Sequence, residues 1–261
     1  MASHESRVTS HESRVTNEES RVASHESQDP RPETRDPRQG FFVTGTDTGV
    51  GKTVVACALL KAFAARGLRA IGMKPVASGA EPAAHGLIHD DVERLIAASN
   101  LAAPREHVNP YCFLPPIAPH IAARQAGVTI DLERIERSFR ALAARADVVI
   151  VEGAGGFRVP LGPATDTAQL AARLALPVVL VVGMRLGCLN HALLTAEAIA
   201  ARGLKLAGWI ANYIDPQMMA AGDNVRALEE RITAPLLARI AFASTPDLVA
   251  IAATLNIGKL L

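Results

Sequence analysis

The residues of this chain best suited to chemistry fall in short clusters, Thr46–Thr53, Lys74–Gly79, Glu152–Gly156 and Arg185–Asn190, with Asp90-Asp91 at the start of a helical segment. The first begins after the apolar run Phe41-Phe42-Val43 and ends in Gly51-Lys52-Thr53 at the mouth of an Ala/Leu-rich segment. A glycine-rich turn opening a helix turns successive backbone N–H groups towards an anion, and the helix dipole adds positive charge there. Lys52 then reaches β/γ-phosphates, and the Thr53 hydroxyl ligates Mg²⁺. The spacing is offset, because Thr46 stands where the first glycine of such loops usually falls and Gly45 lies one residue earlier.

Glu152 ends the apolar run 147–152, where P-loop enzymes keep a second acidic residue near the metal; the plainer reading is a strand-end carboxylate capping the next turn. Asp90 and Asp91 open a helical segment, and either one alone would suit an N-cap. Mg²⁺ takes oxygen ligands in a near-octahedral shell completed by phosphates and waters, so Thr53, Asp91 and Glu152 make a sufficient protein share. Lys74 precedes a proline in a loop beside the expected phosphates, where it suits charge developing on a transferring phosphoryl group; the alternative is a solvated loop lysine. Ser78 is either a donor to substrate or a turn former. Gly187-Cys188-Leu189-Asn190 opens a helix whose free N–H groups suit a carboxylate, or is an ordinary helix start. His120 and His191 lack metal-ligand spacing.

These clusters need strand ends to carry them. Helix-type segments are expected at 52–66, stopped by Gly67, and at 90–100, 132–146, 167–174, 189–201 and 223–232. Strand-type segments are expected at 69–74, 147–152, 177–183, 205–212 and 236–242, and 108–120 reads as a proline-rich connection. Alternation of this kind predicts an α/β fold of one domain: a doubly wound, mostly parallel sheet, helices on both faces, P-loop NTPase-like. Ligands in such folds bind at the carboxyl ends of the strands, where the clusters lie.

Of 261 residues, 49% are apolar and 4% aromatic, and the net charge is +1, so nothing draws the chain to nucleic acid or an anionic membrane. Cys57, Cys112 and Cys188 form no C-x-x-C pair, which argues against zinc and disulfides and fits a reducing cytoplasm. No apolar run approaches membrane-spanning length. Residues 3–30 carry a decaying seven-residue repeat, with at most one apolar residue per copy, too few for a coiled coil. Residues 1–40 are expected to be a disordered extension, and 41–261 the catalytic domain.

Thr44-Gly45-Thr46-Asp47-Thr48-Gly49-Val50-Gly51-Lys52-Thr53, Lys74-Pro75-Val76-Ala77-Ser78-Gly79, Asn109-Pro110-Tyr111, Pro119-His120, Val151-Glu152-Gly153-Ala154-Gly155-Gly156 and Leu186-Gly187-Cys188-Leu189-Asn190-His191 stand in one order. That ordered set, over roughly 41–242, resembles the dethiobiotin synthetase family. The resemblance implies a homodimeric, Mg²⁺- and ATP-dependent ligase, with active sites at the dimer interface. It would close a cyclic urea on 7,8-diaminopelargonate with CO₂ or bicarbonate, giving dethiobiotin, ADP and phosphate. It implies a phosphate cradle of Gly49, Val50, Gly51, Lys52, Thr53 and Val54, Mg²⁺ ligands Thr53, Asp91 and Glu152, and catalytic lysines Lys74 and Lys52. Gly153, Ala154 and Gly155 fall on the nucleotide side, and Asn212 is implied as the adenine reader. Thr48 and Ser78 fall at substrate contacts, and Gly187, Cys188, Leu189 and Asn190 at the substrate carboxylate across the interface. The chain departs from the family pattern at Gly49, where Glu is frequent, at Tyr213 after Asn212, and at Ile240-Ala241-Phe242, which lacks a proline.

Two rivals stay open from sequence. A nucleotide switch of the partitioning type usually carries an early lysine in the phosphate loop, and none stands between Gly45 and Gly51. A related amidoligase would need an amide nitrogen donor.

Overall fold

The structure, a computed structural model, describes residues 40–84 and 86–260. The repeat and the disordered extension expected for 1–40 lie outside the described residues except at Gly40, which already belongs to the first strand.

The strands are β1 (Gly40–Gly45), β2 (Ala70–Met73), β3 (Val76–Ser78), β4 (Glu81–Ala83), β5 (Gly86–Ile88), β6 (Tyr111–Phe113), β7 (Val148–Gly156), β8 (Val178–Met184), β9 (Leu206–Tyr213) and β10 (Leu236–Ile240). The helices are α1 (Lys52–Ala64), α2 (Asp90–Ala98), α3 (Arg105–Val108), α4 (Pro119–Gln125), α5 (Leu132–Ala143), α6 (Thr167–Leu174), α7 (Cys188–Ala201), α8 (Ala221–Glu229) and α9 (Leu248–Thr254). Six strands form one sheet in the order β10-β9-β8-β1-β7-β2, and every pairing in it is parallel. The doubly wound parallel architecture expected from the alternation of segments is therefore present.

Burial explains why the runs read as strands. β1, β2 and β8 are buried along their whole length, as parallel strands covered on both faces must be. Successive side chains alternate between layers: Phe41, Val43, Val148 and Ile150 join the cluster around α1, while Phe42, Val149 and Val151 join the opposite one. α1 is apolar nearly all round because α2 and α9 cover what the sheet does not. It stops at Gly67 (φ 77°), where Leu68 N–H donates to Phe63 O and Gly67 N–H to Ala64 O.

The path through the sheet fixes the site. From β1 the chain goes to the β2 edge, returns to β7 beside β1, then crosses β1 to β8 and continues outward. The winding reverses at β1, so the loops after β1 and β7 diverge at their carboxyl ends and leave a crevice. Two parts were not foreseen. A two-stranded parallel sheet of β3 and β6, followed by α4, occupies much of the expected loop, and β4 and β5 form a hairpin. Strands of three residues give too short a pattern to read. No helix among the described residues is long and apolar enough to cross a membrane.

Candidate functional site

The loop from Thr46 to Gly51 is tied down before any ligand is considered. Thr46 N–H donates to Val181 O on β8 at 3.0 Å, and the Asn212 side-chain amide donates to Val50 O at 2.8 Å. The Val50 side chain is buried, packed where a Cβ on Gly45 or on Gly183 would lie only 2.5 or 2.7 Å from its methyl groups. Gly51 sits at φ 88°, and a Cβ there would fall 2.2 Å from Asn212 Nδ2. Gly51→Ala therefore combines a left-handed backbone, about 1–2 kcal/mol for an L-residue, with a clash on the residue that holds the loop. Its expected outcome is a lowered Tm and ADP affinity down at least about tenfold, one decade per 1.4 kcal/mol, read by thermal melting and calorimetric titration.

As the N-cap of α1, Gly51 offers no side chain to the helix's first N–H groups, which is the arrangement that receives phosphate. Lys52 folds back so that Nζ donates to Asp47 O at 2.9 Å. Burial, and then the neighbouring Lys74, push its pKa down to about 8. An anion placed beside it would favour the charged form. Gly49 also lies at positive φ (74°), with open space beyond it, so the departure from Glu suits the backbone at this point.

Opposite this loop the acidic residues converge. Thr53 Oγ1 lies 2.8 Å from Asp91 Oδ1 and 2.9 Å from Glu152 Oε1. Lys74 Nζ donates to Glu152 Oε1 at 2.6 Å and to Asp91 Oδ2 at 2.8 Å. Burial alone would lower the Lys74 pKa, but Glu152, and then Asp91, outweigh it and raise the pKa above the ordinary lysine value. Burial likewise disfavours ionised Asp91, yet the Lys74 charge and the hydrogen bonds from Lys74 and Thr53 hold its pKa below the usual carboxylate value. Lys74 is thus an ammonium and Asp91 a carboxylate at neutral pH. The solvated-loop reading of Lys74 does not hold, since it is 4% exposed. Asp91 is not the N-cap of α2 either; that position is His89.

Two observations bear on a metal. A hydroxyl has one proton, so Thr53 satisfies only one of two carboxylate oxygens within 2.9 Å. Glu152 Oε2 is buried with no hydrogen-bond partner among the described residues. Hard oxygen donors with surplus acceptor capacity fit Mg²⁺. No group of three or more His, Cys, Asp or Glu side chains able to hold a metal occurs among the described residues. That fits a cation completed by phosphate and water rather than an all-protein cage.

These side chains line a cleft of about 850 Å³, within the range of small-molecule sites. Thr48, Gly49, Gly51, Lys52, Thr53 and Val54 line it from the β1–α1 side, with Lys74, Ser78 and Asp91 from the segments after β2. Glu152, Ala154 and Gly155 line it from β7. Four groups of candidate residues stand apart. Val50 points into the core, and Gly153 is turned to Phe42, whose ring would lie 3.0 Å from a Cβ there. Asn212 is buried behind the loop. Gly187, Cys188, Leu189 and Asn190 start α7 outside the cleft of their own chain.

Sequence reasoning placed Asn109 and Arg185 in its motifs but gave neither the task of holding these groups in place. Asn109 is buried and donates from Nδ2 to Lys74 O at 2.6 Å and to Tyr111 O at 3.0 Å, while Lys74 N–H donates to Val108 O. Its signal was present, as an asparagine before a proline in an ordered motif. Arg185 pairs with Asp47 and so joins the phosphate loop to the segment before α7. Nothing in the spacing of those two residues, 138 positions apart, announces the pair.

A family model described as an AAA domain matches residues 39–247. The ATP-dependent dethiobiotin synthetase BioD of Aromatoleum aromaticum is 57% identical over 219 residues, covering 84% of this chain and 97% of that protein. The protein of the same name from Nitrosospira multiformis is 55% identical over 222 residues, covering 85% and 96%. Among solved structures, a ParA family ATPase from Chlorobium tepidum TLS aligns with TM-score 0.50 at 15% identity, covering 84% of this chain and 91% of that one. The MinD cell division protein of Aquifex aeolicus aligns with TM-score 0.50 at 16% identity, covering 84% and 88%. Likeness at such identity is one of fold alone. With more than half the residues identical across nearly the whole length of both BioD proteins, the chain belongs to the ATP-dependent dethiobiotin synthetase family.

Proposed function

We propose that this ligase closes a cyclic urea on 7,8-diaminopelargonate, using CO₂ and ATP and releasing dethiobiotin, ADP and phosphate. The observation that carries the reading is the convergence of Lys52, Lys74, Thr53, Asp91 and Glu152 on one cleft beneath a phosphate loop. One substrate amine adds to CO₂ and loses a proton, giving a carbamate. A carbamate oxygen attacks the γ-phosphorus and ADP leaves. The second amine attacks the carbonyl of the resulting mixed anhydride, and phosphate departs as the ring closes. Thr53, Asp91 and Glu152 would hold Mg²⁺, which when bound neutralises charge on the phosphates.

The chain's own residues have distinct tasks. The loop N–H groups and Lys52 hold the phosphates, and Lys74 stabilises the negative charge that spreads during transfer. Positioning the carbamate against the nucleotide supplies much of the remaining acceleration. Thr48 and Ser78 contact the diamine; the Ser78 hydroxyl is buried without a hydrogen-bond partner among the described residues, which supports this role. Asn212, with one N–H committed to Val50 O, keeps its carbonyl oxygen and second N–H for the adenine edge.

The homodimer belongs to the same proposal. α7 is apolar nearly all round, yet only Cys188, Ala192 and Ile199 are buried, while Leu194 is exposed and Leu186 just before it is 95% exposed. A helix of this kind is normally covered. Its first residues, Gly187–Asn190, would then meet the carboxylate bound in the partner subunit. Leu194→Glu is expected to halve the mass in light scattering. It is also expected to raise the diamine KM at least about tenfold, one charge-assisted hydrogen bond being worth about 1.5 kcal/mol or more.

The test of the function is ADP release, with diaminopelargonate and bicarbonate each omitted in turn. A ligase of this kind requires both. A nucleotide switch would be indifferent to both, and an amidoligase would respond only to an amide nitrogen donor.

A further inference from the structure

The hydrogen-bond partners of His89 leave its ring no choice of tautomer. Asp91 N–H donates to Nδ1 at 3.1 Å, and Nε2 lies 3.1 Å from Ser78 O. An amide N–H only donates and a carbonyl oxygen only accepts. In this geometry Nδ1 accepts from Asp91 N–H and Nε2 donates to Ser78 O. The side chain is only 15% exposed.

The ring joins two parts of the site. Asp91 belongs to α2, which packs on α1 and β2, and its carboxylate meets Thr53 and Lys74. Ser78 ends β3, whose partner is β6; the residue lines the cleft, and its hydroxyl is buried without a hydrogen-bond partner among the described residues. Between Ser78 and His89 the chain leaves for the β4–β5 hairpin, where Glu81, Pro82 and Ala83 are all exposed. The hairpin pairs Glu81 with Ile88, and the contact of His89 with Ser78 O adds a side-chain tie just beyond that pairing. Histidine is also an uncommon N-cap, since Ser, Thr, Asp and Asn do that task with a shorter side chain. A short side chain would cap α2 and leave Ser78 untouched.

We infer that His89 is a positioning residue: its imidazole is a strut that holds the Asp91 end of α2 and the Ser78 loop at a set separation. In this way it keeps the phosphate half of the reaction in register with the diamine half. The inference about the diamine rests on the ligase reading above.

Two variants and three readouts test it. His89→Asn keeps a side-chain oxygen for Asp91 N–H but cannot also reach Ser78; His89→Ala does neither. In the unmodified protein, long-range ¹H–¹⁵N correlation spectra should show His89 protonated on Nε2 alone. His89→Ala is expected to weaken Mg²⁺-dependent ADP binding in calorimetry and to raise the diamine KM, each about fivefold, the usual effect of losing a cap. His89→Asn should restore ADP binding while the diamine KM stays raised. Recovery of both by His89→Asn would reduce the residue to a helix cap and overturn the inference, as would an Nδ1-protonated ring or unchanged constants in His89→Ala. Failure of the ligase reading would be visible in the unmodified protein, as turnover indifferent to the diamine, and would take the diamine half of the inference with it.

Discussion

Lys74→Ala is expected to lower turnover about 1,000-fold or more, the scale of losing a charge-stabilising group in phosphoryl transfer, while Mg²⁺·ATP still binds within about tenfold. The asymmetry follows from geometry. The hydrogen bonds of the Lys74 ammonium go to the two carboxylates, Glu152 and Asp91. Removing it spares the cradle and strips the cation that faces spreading charge. It also leaves Glu152, which is 1% exposed, against Asp91 with no ammonium between them. Breaking a buried ion pair from one side costs about 3–5 kcal/mol. The apo variant should melt well below the parent, and added Mg²⁺ should recover more stability in the variant than in the parent by supplying the missing counter-charge. Single-turnover kinetics, nucleotide titration and melting in Mg²⁺ against EDTA together measure this. Near-normal turnover would remove Lys74 from the chemistry; turnover lost only in proportion to unfolded protein would make it structural.

Lys52→Gln should show the opposite profile. Among the described residues its ammonium donates only to Asp47 O, while burial and the neighbouring Lys74 hold its pKa down at about 8. A buried cation without a close carboxylate partner is a burden on the folded state until an anion arrives. The neutral amide should therefore melt no lower than the parent when nucleotide is absent. ATP affinity should fall about 10- to 100-fold, as expected for losing a hydrogen bond to a charged group, and turnover at subsaturating ATP should fall with it. An unchanged ATP affinity would mean that Lys52 does not face the phosphates. Together the two variants assign one lysine to binding and the other to chemistry, through measurements that move in opposite directions.

Legibility in the sequence tracked length and periodicity. Long apolar runs such as that of β7, and helices with clear stops such as α1 at Gly67, could be read because both faces of a parallel sheet must be covered. Clusters at the ends of those runs converge because the winding reverses at β1, which is how Thr53, Asp91 and Glu152 meet although the last lies 99 residues from the first. The short β3–β6 pairing and the β4–β5 hairpin carried no such pattern. The supports of the site were visible as residues, but their tasks were not. Asn109 and His89 act through backbone atoms of distant residues, and backbone atoms leave no mark on residue type. Asn212 shows the reverse case, since the glycine it requires at position 51 is visible while the reason for it is not.

Val50 has a consequence for how fast the protein works. Its methyl groups fill the hollow beside two glycines, Gly45 on β1 and Gly183 on β8, so the loop's curvature is set by hydrocarbon packing rather than by the phosphates it awaits. A receptor already in its bound shape spends no affinity on ordering itself. Nucleotide association should accordingly be a single fast phase whose observed rate rises linearly with concentration, without the plateau that a loop rearrangement would impose.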